Sequence, residues 1–366
     1  MAKIHVGIVF GGKSTEHEVS LQSAKNIIQA IDKKRFEISL FGVDKTGQWQ
    51  LMDAANFLLN ENDPSLIALN HSHQTLSLPL SQAQQISVET AGQSQLKNVD
   101  VIFPIVHGHL GEDGALQGLL RSVNIPFVGT HILGSAICMD KDITKRLLRD
   151  AGLNIAPFIT LKRSDYAHCS FEKIKTELGL PFFIKPANLG SSVGVSKVDN
   201  QQEFAKAMKL AFEFDHKVLV ETTIVGREIE CAVLGNDYPQ ASICGEIIVA
   251  DQFYAYETKY ISSGAAKIVI PAAISSRVQE KIQHIAIKAY KVLECLGMAR
   301  VDIFLTQNEQ VIINEVNTLP GFTNISMYPK LWEASGLSYS DLITKLIELA
   351  LQRHRQDSAL LNTVVA

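Results

Sequence analysis

The chain opens with a β-rich run, Lys3 to Phe10, broken by Gly11 and Gly12. From Ser20 to Ile31, apolar or small residues fall at Leu21, Ala24, Ile27, Ile28 and Ile31, which is one face of a helix. Phe36 to Val43 is apolar enough for a second strand, so the opening predicts a βαβ unit with a parallel sheet. Residues 45–98 lose this rhythm. Asn60-Glu61-Asn62-Asp63-Pro64 and the Ser/Gln-rich 81–95 stretch predict an elaborated surface insertion. Val99 to Val106 reads as a buried strand running into a loop with three glycines, His107-Gly108-His109-Leu110-Gly111-Glu112-Asp113-Gly114.

Beyond Gly129 the pattern predicts a helix over Ser135–Ala151, stopped at Gly152 with Pro157 following. Phe182–Lys185 and Val193–Val198 flank a glycine-serine turn and predict a β-hairpin. A further helix is opened by Ser276, with Gln279 three residues on as a capping box, and ended at Gly297.

Composition narrows the function classes. The 366 residues suit two or three domains at roughly 150 residues each. A hydrophobic share of 46% and a charged share of 20% are those of a globular chain. Lys plus Arg is 34 against 38 for Asp plus Glu, a net charge of −4, so nothing favours nucleic-acid binding by bulk positive charge. Any anionic ligand must be held by local groups. No run approaches the ~20 apolar residues of a membrane helix, and Met1–Phe10 lacks the features of a signal peptide. Five cysteines without a CxxC pair suit a reducing compartment. The expectation is a soluble cytoplasmic enzyme.

The motif nearest the N-terminus misleads. Gly7 to Ser14 matches the P-loop pattern GxxxxGKS, but Ile8, Val9 and Phe10 fill the would-be phosphate cradle and read as strand. What remains is a glycine turn delivering Glu16, His17 and Glu18 to a helix start, where acidic residues are ordinary dipole partners. The strongest constellation lies near the C-terminus, where Arg300-Val-Asp302-Ile-Phe-Leu and Val311-Ile-Ile-Asn314-Glu315-Val-Asn317 flank Gln307–Gln310. With the turn centred between Asn308 and Glu309, Asp302 faces Glu315 and Arg300 faces Asn317, all on one side of the hairpin. Opposed carboxylates repel unless a cation sits between them, and Asp, Glu and Asn offer the oxygen ligands Mg²⁺ takes. An odd-length turn would put Asp302 and Glu315 on opposite faces.

Lys185-Pro-Ala-Asn-Leu-Gly190-Ser191-Ser192-Val-Gly194 offers N–H, hydroxyl and ammonium donors to phosphate, or forms a plain hairpin turn. Tyr254-Ala-Tyr256-Glu-Thr-Lys259-Tyr260-Ile-Ser-Ser-Gly264 is either a lid or an exposed strand and loop. His71/His73 and His107/His109 have metal-like spacing, but no cysteine is near and zinc is disfavoured.

In this order, the motifs resemble those of D-alanine–D-alanine ligases in the ATP-grasp superfamily, over nearly the whole chain: GGKSTEHEVS, HGHLGEDGALQG, MDK, KPANLGSSVGVSKV, VETTIVGREIECAVLGN, YETKYIS, ARVDIF and NEVNTLPGFTNISMYPKLW. The 45–98 insertion and the REIECAVLGN wording resemble the A-type ligases of enteric bacteria. The resemblance implies three α/β domains: 1–128 for substrate, 129–219 as the central ATP-grasp subdomain, and 220–366 carrying the metal site and lid. It implies that Lys141 and Lys185 contact ATP phosphates, and that Glu221, Ile224 and Glu228 line the adenine and ribose pocket. Asp302, Glu315 and Asn317 would bind two Mg²⁺ or Mn²⁺.

For the amino-acid substrates, the resemblance implies that Glu16 holds the ammonium of a first D-alanine. Ser326 with Lys259 would hold the carboxylate of the second, and Arg300 with the Gly321 N–H would stabilise the oxyanion. Ser191, Tyr260 and Glu16 would form a hydrogen-bonded triad linking lid to site, and Tyr260 favours an amine acceptor over D-lactate. A homodimer is the family's expected assembly. The implied reaction phosphorylates one D-alanine on its carboxylate, then lets the amine of the other displace phosphate, beneath a lid at 253–264. The rival readings are another ATP-grasp carboxylate–amine ligase, a P-loop NTPase and a non-catalytic nucleotide-binding module.

Overall fold

The computed structural model describes residues 2–77, 85–90, 93–249 and 266–360. The opening unit is β1 (Ile4–Gly11), α1 (His17–Ala30) and β2 (Phe36–Val43), with β1 and β2 parallel as expected. Gly7 lies inside β1, where a Cβ would meet the Phe41 ring at 2.3 Å. That glycine serves packing between strands. The P-loop spelling has no structural counterpart.

The 45–98 stretch is more than a surface insertion. It contributes β3 (Trp49–Met52), the small pair β4 (Leu58–Leu59) and β5 (Ala68–Leu69), then β6 (Thr75–Ser77), β7 (Gln85–Thr90) and β8 (Gln93–Asn98). With β9 (Val101–Ile105), these give a sheet of order β8-β7-β6-β3-β2-β1-β9. Ile86 lies in its core, with Ser87 and Val88 buried beside it, a strand that the polar composition around it obscured.

After α2 (Ala115–Ser122), the predicted single helix is two, α3 (Ile132–Met139) and α4 (Lys141–Asp150). Asp140 breaks it: its backbone is extended, and its carboxylate accepts from the Asp142 and Ile143 N–H groups as the cap of α4. Lys141 therefore stands at the first position of a helix. A four-stranded antiparallel sheet follows, built from β10 (Phe158–Lys162), β11 (Phe182–Pro186), β12 (Ser196–Val198) and β13 (Lys217–Thr222) in the order β10-β13-β11-β12. It is covered by α5 (Phe171–Leu178) and α6 (Gln201–Phe214), and β11–β12 is the predicted hairpin.

The last sheet runs β16-β15-β14-β17-β18, from β14 (Arg227–Gly235), β15 (Gln240–Val249), β16 (Ala266–Val269), β17 (Gly297–Leu305) and β18 (Val311–Asn317). Between β16 and β17 lies α7 (Ser276–Val292), capped by Ser275 through the Val278 N–H. The cap is one residue earlier than expected and Gln279 takes no part, because Ser275 is the residue in extended conformation. The chain closes with α8 (Met327–Ala334) and α9 (Tyr339–Ser358).

The hydrophobic cores show how these layers join. One core unites the first and last elements, placing Val6, Ile8 and Phe103 with Met298, Phe322, Trp332 and Leu346. A second joins Cys138 and Leu148 of α3 and α4 to Ile282, Tyr290 and Val301. The four-stranded sheet keeps a separate core of Phe171, Phe182, Phe204 and Val218. Where the chain leaves the first sheet, buried Arg353 of α9 donates to the carbonyls of Phe127, at 2.6 Å, and Gly129. His131 Nε2 lies 3.0 Å from Asp357. Burial and the Arg353 charge push the His131 pKa down to about 4.

Candidate active site

The β17–β18 hairpin does pair Asp302 with Glu315 and Arg300 with Asn317, but two irregularities cancel to give that register. Its loop, Thr306 to Gln310, has an odd number of residues, so from Leu305–Val311 to Ile303–Ile313 the ladder runs one residue off the expected pairing. Continued, it would set Asp302 against Asn314 and turn Glu315 to the other face. A bulge between Asp302 and Ile303 absorbs Asn314 and restores the alignment at the site.

Arg300 supplies the cation that opposed carboxylates require. It donates two bonds of 2.7 Å to Asp302, and its Nε lies 3.0 Å from Glu230 on β14. Burial alone would lower its pKa, but the charges of Asp302 and Glu230 drive it well up, so the guanidinium is permanently charged. Glu230 went unread in the sequence, although its position two residues after Glu228 puts both on one strand face. The backbone partner of Glu230 across the sheet is Asp302 itself.

Lysines face the hairpin from the other side. Lys141 lies 3.7 Å from Glu315 and donates to the Leu189 carbonyl at 2.6 Å. Its pKa is lowered, chiefly by burial and with the Lys185 charge adding to it. Glu221 is buried between Lys185, at 3.0 Å, and fully buried Lys145, at 2.8 Å. Burial raises its pKa, yet the two ammonium charges overcome that and hold it below the ordinary value. Lys145 was also missed. Its signal was the step of four from Lys141, which puts both on one side of α4.

The glycine-serine loop joins this centre to the start of α1. Ser191 and Ser192 adopt φ of 52° and 59°, sparsely populated for non-glycine residues. The Ser191 hydroxyl donates to Glu16 at the start of α1, 175 positions away in the chain. A Cβ on Gly190 would stand 3.4 Å from Glu16, and one on Gly108 would meet Ser14 at 2.6 Å, so small residues let two loops close on this carboxylate.

A cleft lined by Glu16, Lys141, Ser191, Arg300, Glu315, Asn317 and Gly321 gathers nearly half of the expected residues. His107, Glu112 and Cys138 also line it. Asp302 reaches it through Arg300, Lys185 and Glu221 through the lysine cluster, and Ser326 lies against Gly321. Ile224 stands on the connection from β13 into β14, and Glu228 is the second residue of β14. Lys259, Tyr260 and the proposed lid fall outside the described residues. Of the histidine pairs, His71, His73 and His109 are exposed while His107 is buried. Among the described residues, no group of three His, Cys, Asp or Glu side chains is arranged to hold a metal. A larger cavity of about 580 Å³, lined by His109, Asp140, Arg163 and Asp215, contains none of the expected residues.

Ammonium groups facing a carboxylate-bearing hairpin across a cleft are the arrangement expected of an ATP-grasp ligase. The comparisons with known proteins then settle the family. Models described as D-ala D-ala ligase N-terminus and C-terminus match residues 5–130 and 147–348. The chain is 63% identical to D-alanine–D-alanine ligase A of Escherichia coli (strain K12) over 364 residues, covering 100% of each chain. It is 61% identical to D-alanine–D-alanine ligase of Shouchella clausii, covering 100% of this chain and 99% of that one.

Solved structures agree. The D-alanine-D-alanine ligase from Coxiella burnetii is 40% identical with a TM-score of 0.81, covering 97% of each chain. A D-Ala:D-Ser ligase from Enterococcus faecalis is 38% identical with a TM-score of 0.83, covering 95% of this chain and 100% of its own. The protein belongs to the D-alanine–D-alanine ligase family. No helix among the described residues is long and apolar enough to cross a membrane.

Proposed function

We propose that this enzyme joins two D-alanines into D-alanyl-D-alanine at the cost of ATP, for peptidoglycan precursor synthesis in the cytoplasm, and acts as a homodimer. The observation that carries the reading is the meeting of Glu16, Ser191, Arg300 and Gly321 in one cleft with Lys141, Glu315 and Asn317. One half suits a small amino acid and the other a metal-bound triphosphate. Segments 1–128, 129–219 and 220–366 supply the walls.

Asp302, Glu315 and Asn317 present only oxygen donors on one face of a hairpin, a set that fits Mg²⁺ and also Mn²⁺. Two such ions, when bound, neutralise charge on the transferring phosphoryl group. Lys141 and Lys185 hold the phosphates, while Glu221, Ile224 and Glu228 take the nucleoside end. Glu16 binds the ammonium of the first D-alanine and fixes its carboxylate toward the nucleotide.

That carboxylate oxygen attacks the γ-phosphorus and ADP leaves, giving an acyl phosphate. The amine of the second D-alanine, held at its carboxylate by Ser326 and Lys259, adds to the activated carbonyl. The tetrahedral oxyanion faces Arg300 and the Gly321 N–H, and collapses by expelling phosphate. Such donors are worth about a hundred- to thousandfold in rate. Ser191, Glu16 and Tyr260 tie the glycine loop and lid to the site, excluding water that would hydrolyse the acyl phosphate. The test is ATP-dependent phosphate release with D-alanine and Mg²⁺. Release and dipeptide with D-alanine, and neither with L-alanine, support the reading. Product formation favouring D-serine, as a dipeptide, or D-lactate, as an ester, over D-alanine as acceptor would displace it.

A further inference from the structure

The Leu319–Phe322 stretch that presents the Gly321 N–H belongs to no helix or strand. Its position rests on the first domain. The Phe322 N–H donates to Ser23 Oγ at 3.1 Å, and that oxygen lies 3.2 Å from His107 Nε2. On the other side of the ring, His107 Nδ1 lies 3.1 Å from the Leu319 carbonyl and 3.4 Å from Glu112. A carbonyl only accepts, so Nδ1 carries a proton. Nε2 then accepts from the Ser23 hydroxyl in the neutral ring and donates to Ser23 Oγ in the charged ring that the neighbouring Glu112 favours against burial, so the contact holds in both.

The result is a closed circuit, from the Phe322 N–H to Ser23, to His107, to the Leu319 carbonyl, with Gly321 held inside it. Ser23 and His107 are buried, so water does not compete for these bonds. The Phe322 carbonyl is held separately by Asn26, at 2.8 Å, and by Tyr339, at 2.7 Å. A displacement of a few tenths of an ångström would matter, because an oxyanion donor acts only when aimed at where charge develops.

We infer that His107 and Ser23 are positioning residues for the Gly321 N–H, joining α1 of the first domain to the oxyanion loop of the last. His107 acts through the loop's backbone, not on the substrate. The inference rests on the reading that Gly321 meets the oxyanion, and that reading has its own test. In protein labelled with ¹⁵N-glycine, the Gly321 amide resonance should move downfield when a phosphinate dipeptide analogue binds with ATP. A stationary resonance would remove the role of Gly321, and the positioning claim with it.

Where the resonance moves, S23A and H107A should each lower kcat about ten- to hundredfold, with the KM for ATP within about twofold of wild type. H107N, whose amide can donate from near the Nδ1 position, should recover part of the loss. The S23A/H107A double variant should be little worse than H107A alone, as for groups that act as a unit. Wild-type kcat in S23A, or a double variant whose losses multiply, would overturn the circuit. If H107A does not fold, S23A and H107N decide the matter.

Discussion

The two hairpins that reach the cleft are built on different principles. In β17–β18, the functional side chains are placed by the ladder: Arg300, Asp302, Glu315 and Asn317 point one way while Val301, Ile303 and Val316 are buried on the other. In β11–β12, the functional groups sit on the connection. Ser191 and Ser192 hold left-handed backbone conformations, and their placement depends on Glu16 and Lys141 reaching in from distant elements. A ladder fixes side chains through bonds repeated along its length, whereas a loop needs partners from outside. The first hairpin should therefore tolerate loss of its functional groups without losing its shape. Around the second, function and structure share the same groups.

The largest effect should come from the ladder. Asp302→Ala and Glu315→Ala should each lower Mg²⁺-dependent turnover about a thousandfold or more with the circular dichroism of wild type. The urea midpoint should hold in Glu315→Ala and fall in Asp302→Ala, which leaves buried Arg300 to Glu230. Near-normal activity in both variants would sink the metal assignment. Next is Lys145→Met, which strips one of two ammonium groups from buried Glu221. Breaking a buried pair costs about 3 kcal/mol, so urea unfolding should show a stability loss of that order, together with a higher KM for ATP. An unchanged unfolding midpoint would mean that Lys185 alone satisfies Glu221.

The smallest effect concerns the junction below both hairpins. His131, with a pKa of about 4 in the fold against an ordinary 6.5, takes up its proton more readily in the unfolded chain. Stability contributed there is present above about pH 6.5 and is lost as pH falls toward 4. His131→Asn should lose less thermal stability between pH 7 and pH 5 than wild type. Parallel pH profiles would show that another group sets the acid limit.

The same contrast governs what could be read from the sequence. The βαβ opening, the last hairpin and its four polar residues were legible because alternation and helical spacing are local. Even there the correct pairing hid an odd-length loop and a compensating bulge at Asn314, neither of which leaves a mark in hydrophobicity. The break at Asp140 was missed because its flanks, Ile137 to Met139 and Ile143 to Leu148, continue the helical pattern across it. Lys145 and Glu230 were missed, and His107 was weighed only as a metal ligand, for another reason: each acts on a residue distant in the chain, and only packing reveals it. The family motifs named Ser191 and Glu16 as partners, a link that no local rule predicts.

The central claim is that a D-alanine carboxylate is activated by phosphorylation in this cleft and then captured by a second D-alanine. It is tested most directly with D-alanine carrying ¹⁸O in its carboxylate, incubated with ATP, Mg²⁺ and the enzyme, with the phosphate analysed by mass spectrometry. The account predicts one ¹⁸O in each phosphate released and D-alanyl-D-alanine formed in equal amount. Unlabelled phosphate accompanying the dipeptide would contradict it.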